Sequence, residues 1–79
     1  MRPKKRHPAV PWLDDAYISE RFRDFRRDMG MKQHDMQTML GIKHRTNVSQ
    51  VETGERRLTA VELIRLLIGS GRTLSDFLD

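Results

Sequence analysis

Arg45-Thr46-Asn47-Val48-Ser49-Gln50-Val51-Glu52-Thr53-Gly54, near the middle of the chain, carries only two apolar side chains, Val48 and Val51. Their spacing of three places both on one side of a helix over about 45–53, and Gly54 marks its end. So short a helix with so narrow an apolar face does not form alone in water. It must be held by neighbours. Its polar residues, Arg45, Thr46, Asn47, Ser49 and Gln50, are therefore selected by something other than core packing.

Upstream, Gln33 to Leu40 reads as a helix with Met36 and Leu40 inward, stopped at Gly41, after which Ile42 returns to the core. Before that, Ile18, Phe22, Phe25 and Met29 recur at i, i+4, i+7 and i+11, the buried stripe of a helix that starts near Asp14 or Asp15 and stops at Gly30. The acidic start suits the positive end of a helix dipole, and Trp12 and Tyr17 are placed to pack over it. Downstream, Thr59 with Glu62 has capping-box spacing at the head of a helix over about 60–70, with Gly69 and Gly71 at its end. A last short helix over about 74–78 follows. The pattern predicts an all-α fold: a compact bundle of about five short helices, without strands.

The apolar set of the fourth helix, Val61, Leu63, Ile64, Leu66, Leu67 and Ile68, wraps well beyond one stripe. A helix apolar on most sides is buried on most sides, and in so small a domain the second face needs a partner. A homodimer is expected, with Leu63, Leu66, Leu74, Phe77 and Leu78 at the interface. Residues 1–11 are expected to form a basic, flexible arm, since Pro3, Pro8 and Pro11 oppose helix and Arg2, Lys4, Lys5 and Arg6 repel one another. Residues 12–79 then form one domain with a C-terminal dimerisation region.

A chain of 79 residues makes one domain at most. It has no cysteine to staple it and no Cys/His cluster with zinc-ligand spacing. No apolar run approaches the ~20 residues that span a bilayer, and no signal segment follows the basic start. The expectation is a soluble cytoplasmic protein, without cofactor, metal or evident small-molecule ligand. His7, His34 and His44 lack metal-ligand spacing, and neither a nucleophile motif nor a phosphate-cradling glycine loop is present, which argues against an enzyme. The net charge is +4, and 13 of the 15 basic residues precede Leu58. One end of the molecule therefore suits an anionic partner such as nucleic acid.

From Ile18 to Leu78 the sequence resembles the lambda-repressor-like helix-turn-helix family, also called the Cro or Xre family. The resemblance is carried by Arg26 four residues before Gly30, by Met31-Lys32-Gln33, by Leu40-Gly41, and above all by Val48-Ser49-Gln50-Val51-Glu52-Thr53-Gly54. Glu55-Arg56-Arg57-Leu58 and Val61-Glu62-Leu63 continue it. Two departures stand out. The family usually has a small residue after the apolar residue of its second helix, where this chain has Gln37 after Met36; an unpaired buried amide is costly, so Gln37 must turn to solvent or bond locally. Gly41 to Glu52 is also one residue longer than usual, with Ile42-Lys43-His44 as an extended turn, and either His44 or Thr46 caps the third helix.

The resemblance implies a sequence-specific regulator of transcription, a repressor by analogy, that binds a palindromic operator in double-stranded DNA as a homodimer. The third helix would lie in the major groove and the second would cross the backbone. Base reading would fall to Arg45, Thr46, Asn47, Ser49 and Gln50, phosphate binding to Gln33, Lys43, His44, Thr53, Arg56 and Arg57, and contacts from the arm to Arg2, Lys4, Lys5 and Arg6. Arg26 and Glu52 would form a partly buried structural salt bridge. An antitoxin that also represses its own operon is the alternative, although little of the chain lies outside the DNA-binding core to grip a toxin. RNA binding is weaker still, because Trp12, Tyr17 and the phenylalanines read as packing residues rather than exposed stacking platforms.

Overall fold

The computed structural model describes residues 12–79, so the basic arm and its contacts Arg2, Lys4, Lys5 and Arg6 lie outside the described residues. Five helices follow in order: α1 (Asp15–Asp28), α2 (Gln33–Leu40), α3 (Arg45–Thr53), α4 (Ala60–Ser70) and α5 (Leu74–Leu78). No strand occurs among the described residues.

Local chemistry sets each start. The Asp14 carboxylate accepts the Tyr17 N–H at 2.9 Å. At α4 the capping box is reciprocal: Thr59 Oγ1 accepts from Glu62 N at 3.1 Å, and Glu62 accepts from Thr59 N at 3.0 Å. Thr73 and Asp76 repeat the arrangement at α5, a pair that sequence reading passed over. Each such cap stabilises a helix by about 1 kcal/mol, which matters for an α5 of only 5 residues. Trp12 packs edge-on against Tyr17 at 5.4 Å.

The core is Phe22, Phe25, Met36, Leu40, Ile42, Val48, Val51, Leu66 and Phe77. α3 packs between α1 and α2, α4 against α2, and α5 against α1. The last contact is tied by polar bonds as well as by packing. The Tyr17 hydroxyl donates to the Leu78 carbonyl, and Arg21 Nε donates to the Phe77 carbonyl at 2.7 Å. The Phe77 ring meets Phe25 edge-on, while the Arg72 guanidinium lies over the same Phe25 ring.

Two expectations about α4 and α5 are corrected by this packing. Leu66 and Phe77, assigned to a dimer interface from sequence, are fully buried within one chain. Leu66 points at the bundle centre and Phe77 closes the core over α1, so neither is free for a partner. Leu63 and Leu78 are half-buried, and only Leu74 of the original set is exposed. The residues that face outward are Val61, Ile64 and Ile68, at 57%, 54% and 77% exposure. Gly69, read as a helix stop, lies inside α4, where Met39 packs so closely that an added Cβ would meet its Cγ at 2.9 Å.

Candidate nucleic-acid interface

α3 is fixed from one side. Val48 and Val51 are completely buried, and Gly54 ends the helix in the left-handed conformation. With 3.6 residues per turn, Thr46, Ser49, Gln50 and Thr53 fall on the face opposite the two valines, with Arg45 and Asn47 flanking it. Arg45 and Thr46 are exposed; Asn47, Ser49 and Gln50 are half-buried. None of the five proposed base-reading side chains makes a hydrogen bond or ion pair with any described residue. They stand free on a helix whose other face is locked.

His44, not Thr46, is the N-cap of α3, and its side chain makes no capping bond. The uncapped first turn leaves helix N–H groups available at the positive end of the dipole. Lys43 and His44 are exposed at that same end. The turn before it is held from α2, where Gln37 Nε2 donates to the Lys43 carbonyl at 3.1 Å. Gln37 thus resolves its departure from the family pattern by bonding locally.

Behind α3, Glu52 joins three helices. Arg26 grips it with Nε and Nη2, the latter 3.1 Å from Oε1, and sends Nη1 to the Met31 carbonyl at 3.0 Å. Gln33 Nε2 also donates to Glu52, at 3.1 Å. The side chains of Arg26 and Glu52 are only 13% and 7% exposed. The Gln33 bond was not visible in the sequence, because nothing in a residue's position at a helix start says that its amide will reach back to a carboxylate 19 residues on.

The other assigned phosphate contacts divide. Arg57 is 84% exposed and, among the described residues, pairs only with the exposed Asp15, at 3.0 Å; such a surface pair is worth at most ~1 kcal/mol and exchanges readily for another anion. Arg56 does not stand free as the sequence reading had it. Both of its terminal nitrogens are bonded to Glu62, at 3.0 and 2.7 Å, so its fork is already filled by a carboxylate. The Thr53 hydroxyl is likewise engaged, lying 2.9 Å from Glu55 Oε1 and 3.2 Å from the Gln50 carbonyl.

Burial pushes the Glu62 carboxyl up, but hydrogen bonds from Arg56 and Thr59 and the charge of Arg56 outweigh it and hold the pKa below its ordinary value. A carboxylate whose folded pKa is lowered adds stability above the unfolded value of about 4.3, and that stability is lost as pH falls through the folded value. Glu62→Gln is therefore expected to be less stable than wild type at neutral pH, by about 1–3 kcal/mol for the charged hydrogen bonds lost. The two melting temperatures should converge on acidification. Thermal melts across the acid range check this, and an offset that stays constant with pH would show that the ion pair does not stabilise the fold.

The profile of the Helix-turn-helix family matches residues 22–77, from the core of α1 to the buried end of α5. The chain belongs to this family. As a Cro/C1-type helix-turn-helix protein it is a DNA-binding regulator of transcription, of lambda-repressor-like fold, and α2 and α3 are its helix-turn-helix. The family is typically non-enzymatic. No curated protein and no solved structure shows a significant match to this helix-turn-helix chain. Among the described residues no helix is long and apolar enough to cross a membrane, and no group of His, Asp or Glu side chains is placed to hold a metal ion.

Proposed function

We propose that the chain is a transcriptional repressor that reads a palindromic operator as a homodimer. The free polar face of α3 carries the proposal, because side chains that bond to none of the described residues are ready to bond to bases. Arg45 matches guanine O6 and N7, Gln50 and Asn47 match adenine N6 and N7, and Thr46 offers its methyl to thymine. Ser49 suits either a base edge or a phosphate. Lys43, His44, Arg57 and the second Nε2 hydrogen of Gln33 supply phosphate contacts, which position α3 without carrying sequence information. Arg56 and Thr53 are left out of that set. Residues 12–79 act as the DNA-binding and dimerising unit, in the cytoplasm of a bacterial or phage-infected cell.

One α3 reads only a few base pairs, whereas a two-fold dimer places two such helices about 34 Å apart along the DNA. The outward stripe of α4 supports a second copy as the partner. Ala60, Val61, Ile64 and Ile68 are all exposed, without a charged side chain among them, and Leu74 of α5 adds to the apolar area. An isologous interface sets a patch against itself, so like charges within it would repel; the stripe itself has none, and Arg65 at its border is tied to the Leu40 carbonyl at 3.0 Å. Ala60, Ile64 and Ile68 also form a ridge with spacing i±4, suited to packing against its own copy with small opposite large.

Selection of bound sites from random duplex DNA tests the reading. A recurrent sequence with two-fold symmetry is expected, and recovery of no preferred sequence would overturn it. Ile64→Glu and Ile68→Glu test the dimer. Both side chains are more than half exposed, so the fold should melt within about 0.5 kcal/mol of wild type. Binding to the full symmetric site should fall at least tenfold, while binding to an isolated half-site should not change. Equal losses on both would remove α4 from the dimer interface.

A further inference from the structure

We infer that Gln37 is a positioning residue that sets where the first turn of α3 lies, and so which bases Arg45 and Thr46 reach. The inference rests on the DNA-reading role proposed for α3. Between Gly41 and Arg45 the chain has few anchors. Ile42 is buried and its N–H bonds back to the Gln37 carbonyl at 3.0 Å. Beyond Ile42, Lys43 and His44 are exposed, and His44 caps α3 with no side-chain bond. The bond from Gln37 Nε2 to the Lys43 carbonyl is the only one a described side chain makes to residues 41–44. Gln37 therefore holds this turn twice, by its backbone carbonyl at Ile42 and by its side-chain amide at Lys43.

The two departures seen in the sequence meet at this point. By the resemblance the turn has one residue more than usual and position 37 a larger side chain than usual, and the Gln37 amide bonds within that turn. A small residue at position 37 has no group to reach the Lys43 carbonyl. The extra length would then be free to pivot about Ile42, and Arg45 and Thr46 would move with it. Gln50, more than one turn of helix further on and beside the buried Val51, would move little. Loss of the Gln37 bond should thus degrade reading at one end of each half-site and spare the other.

Gln37→Met keeps the length of the side chain, adds no charge and removes the donor. Amide exchange in the free protein is the first readout. The Asn47 N–H, bonded to the His44 carbonyl at 2.9 Å, should exchange faster in the variant, and the melting temperature should stay near wild type. On DNA, discrimination between the selected duplex and its single-base variants should fall about tenfold at the positions read by Arg45 and Thr46, the scale of one base contact. Discrimination at the Gln50 position and affinity for an unrelated duplex should hold. An unchanged Asn47 exchange rate would overturn the inference. So would a parallel loss of affinity for every duplex together with a lowered melting temperature, which marks a residue that only stabilises the fold. If wild type prefers no duplex, the DNA-reading role fails, and Asn47 exchange alone decides whether Gln37 fixes the turn.

Discussion

Arg26→Ala is expected to lower the melting temperature by tens of degrees and to abolish DNA binding only because the domain no longer holds together. The substitution removes three bonds at once: two to Glu52 and one to the Met31 carbonyl. It also leaves Glu52, 7% exposed, as a buried carboxylate with only the Gln33 amide for company. Breaking one side of such a pair costs about 3–5 kcal/mol. A domain of this size has roughly 4–12 kcal/mol in total, and each kcal/mol shifts its midpoint by about 4–8 °C. Thermal denaturation followed by circular dichroism measures the effect. Replacing both partners with leucine should be far milder, because no charge is then stranded. If Arg26→Ala melts like wild type and yet binds DNA poorly, Arg26 acts at the DNA and not in the scaffold.

The paired substitution Arg45→Ala with Gln50→Ala is expected to do the reverse, removing sequence preference from a protein that still folds. Neither side chain bonds to any described residue, so stability should change by no more than about 0.5 kcal/mol for each. The Gln50 carbonyl, which accepts from the Glu55 and Arg56 N–H groups at 2.8 and 3.1 Å, is backbone and survives the change. Each bidentate base contact is worth about 1–3 kcal/mol of discrimination, and a symmetric site counts each twice. Competition binding between the selected duplex and a scrambled one should therefore converge toward equal affinity, leaving a salt-dependent residue of phosphate binding. Retained preference in the double variant would overturn α3 as the reading element.

Why was so much of the fold legible in 79 residues? Helix limits are written in short-range chemistry. Asp14, the Thr59/Glu62 pair and the glycines at 30, 41, 54 and 71 act within a few residues of where they stand, so the spans of α2, α3, α4 and α5 emerge from the sequence as they occur in the structure. The polar face of α3 was legible for a related reason: two valines admit only one orientation. α4 gave no such guide. With apolar residues around most of its circumference, nothing local says that Leu66 faces in and Ile68 faces out; the packing of α4 against α2 decides it. Long polar side chains were the other blind spot. Arg56 could be read as a free cation near DNA, and only the fold shows its fork closed on Glu62.

The clasp between α1 and α5 has a consequence for how the molecule comes apart. Its two polar bonds bridge residues 61 and 56 positions apart in sequence, so neither helix can peel away without releasing the other. α1 in turn carries Arg26, and through it the grip on α3. Cooperative opening units normally follow neighbouring stretches of chain; the clasp is expected to put α1 and α5 in one unit. A disturbance at Phe77 is thereby expected to reach α3 as a change in how often it is released rather than as a shift in its resting position.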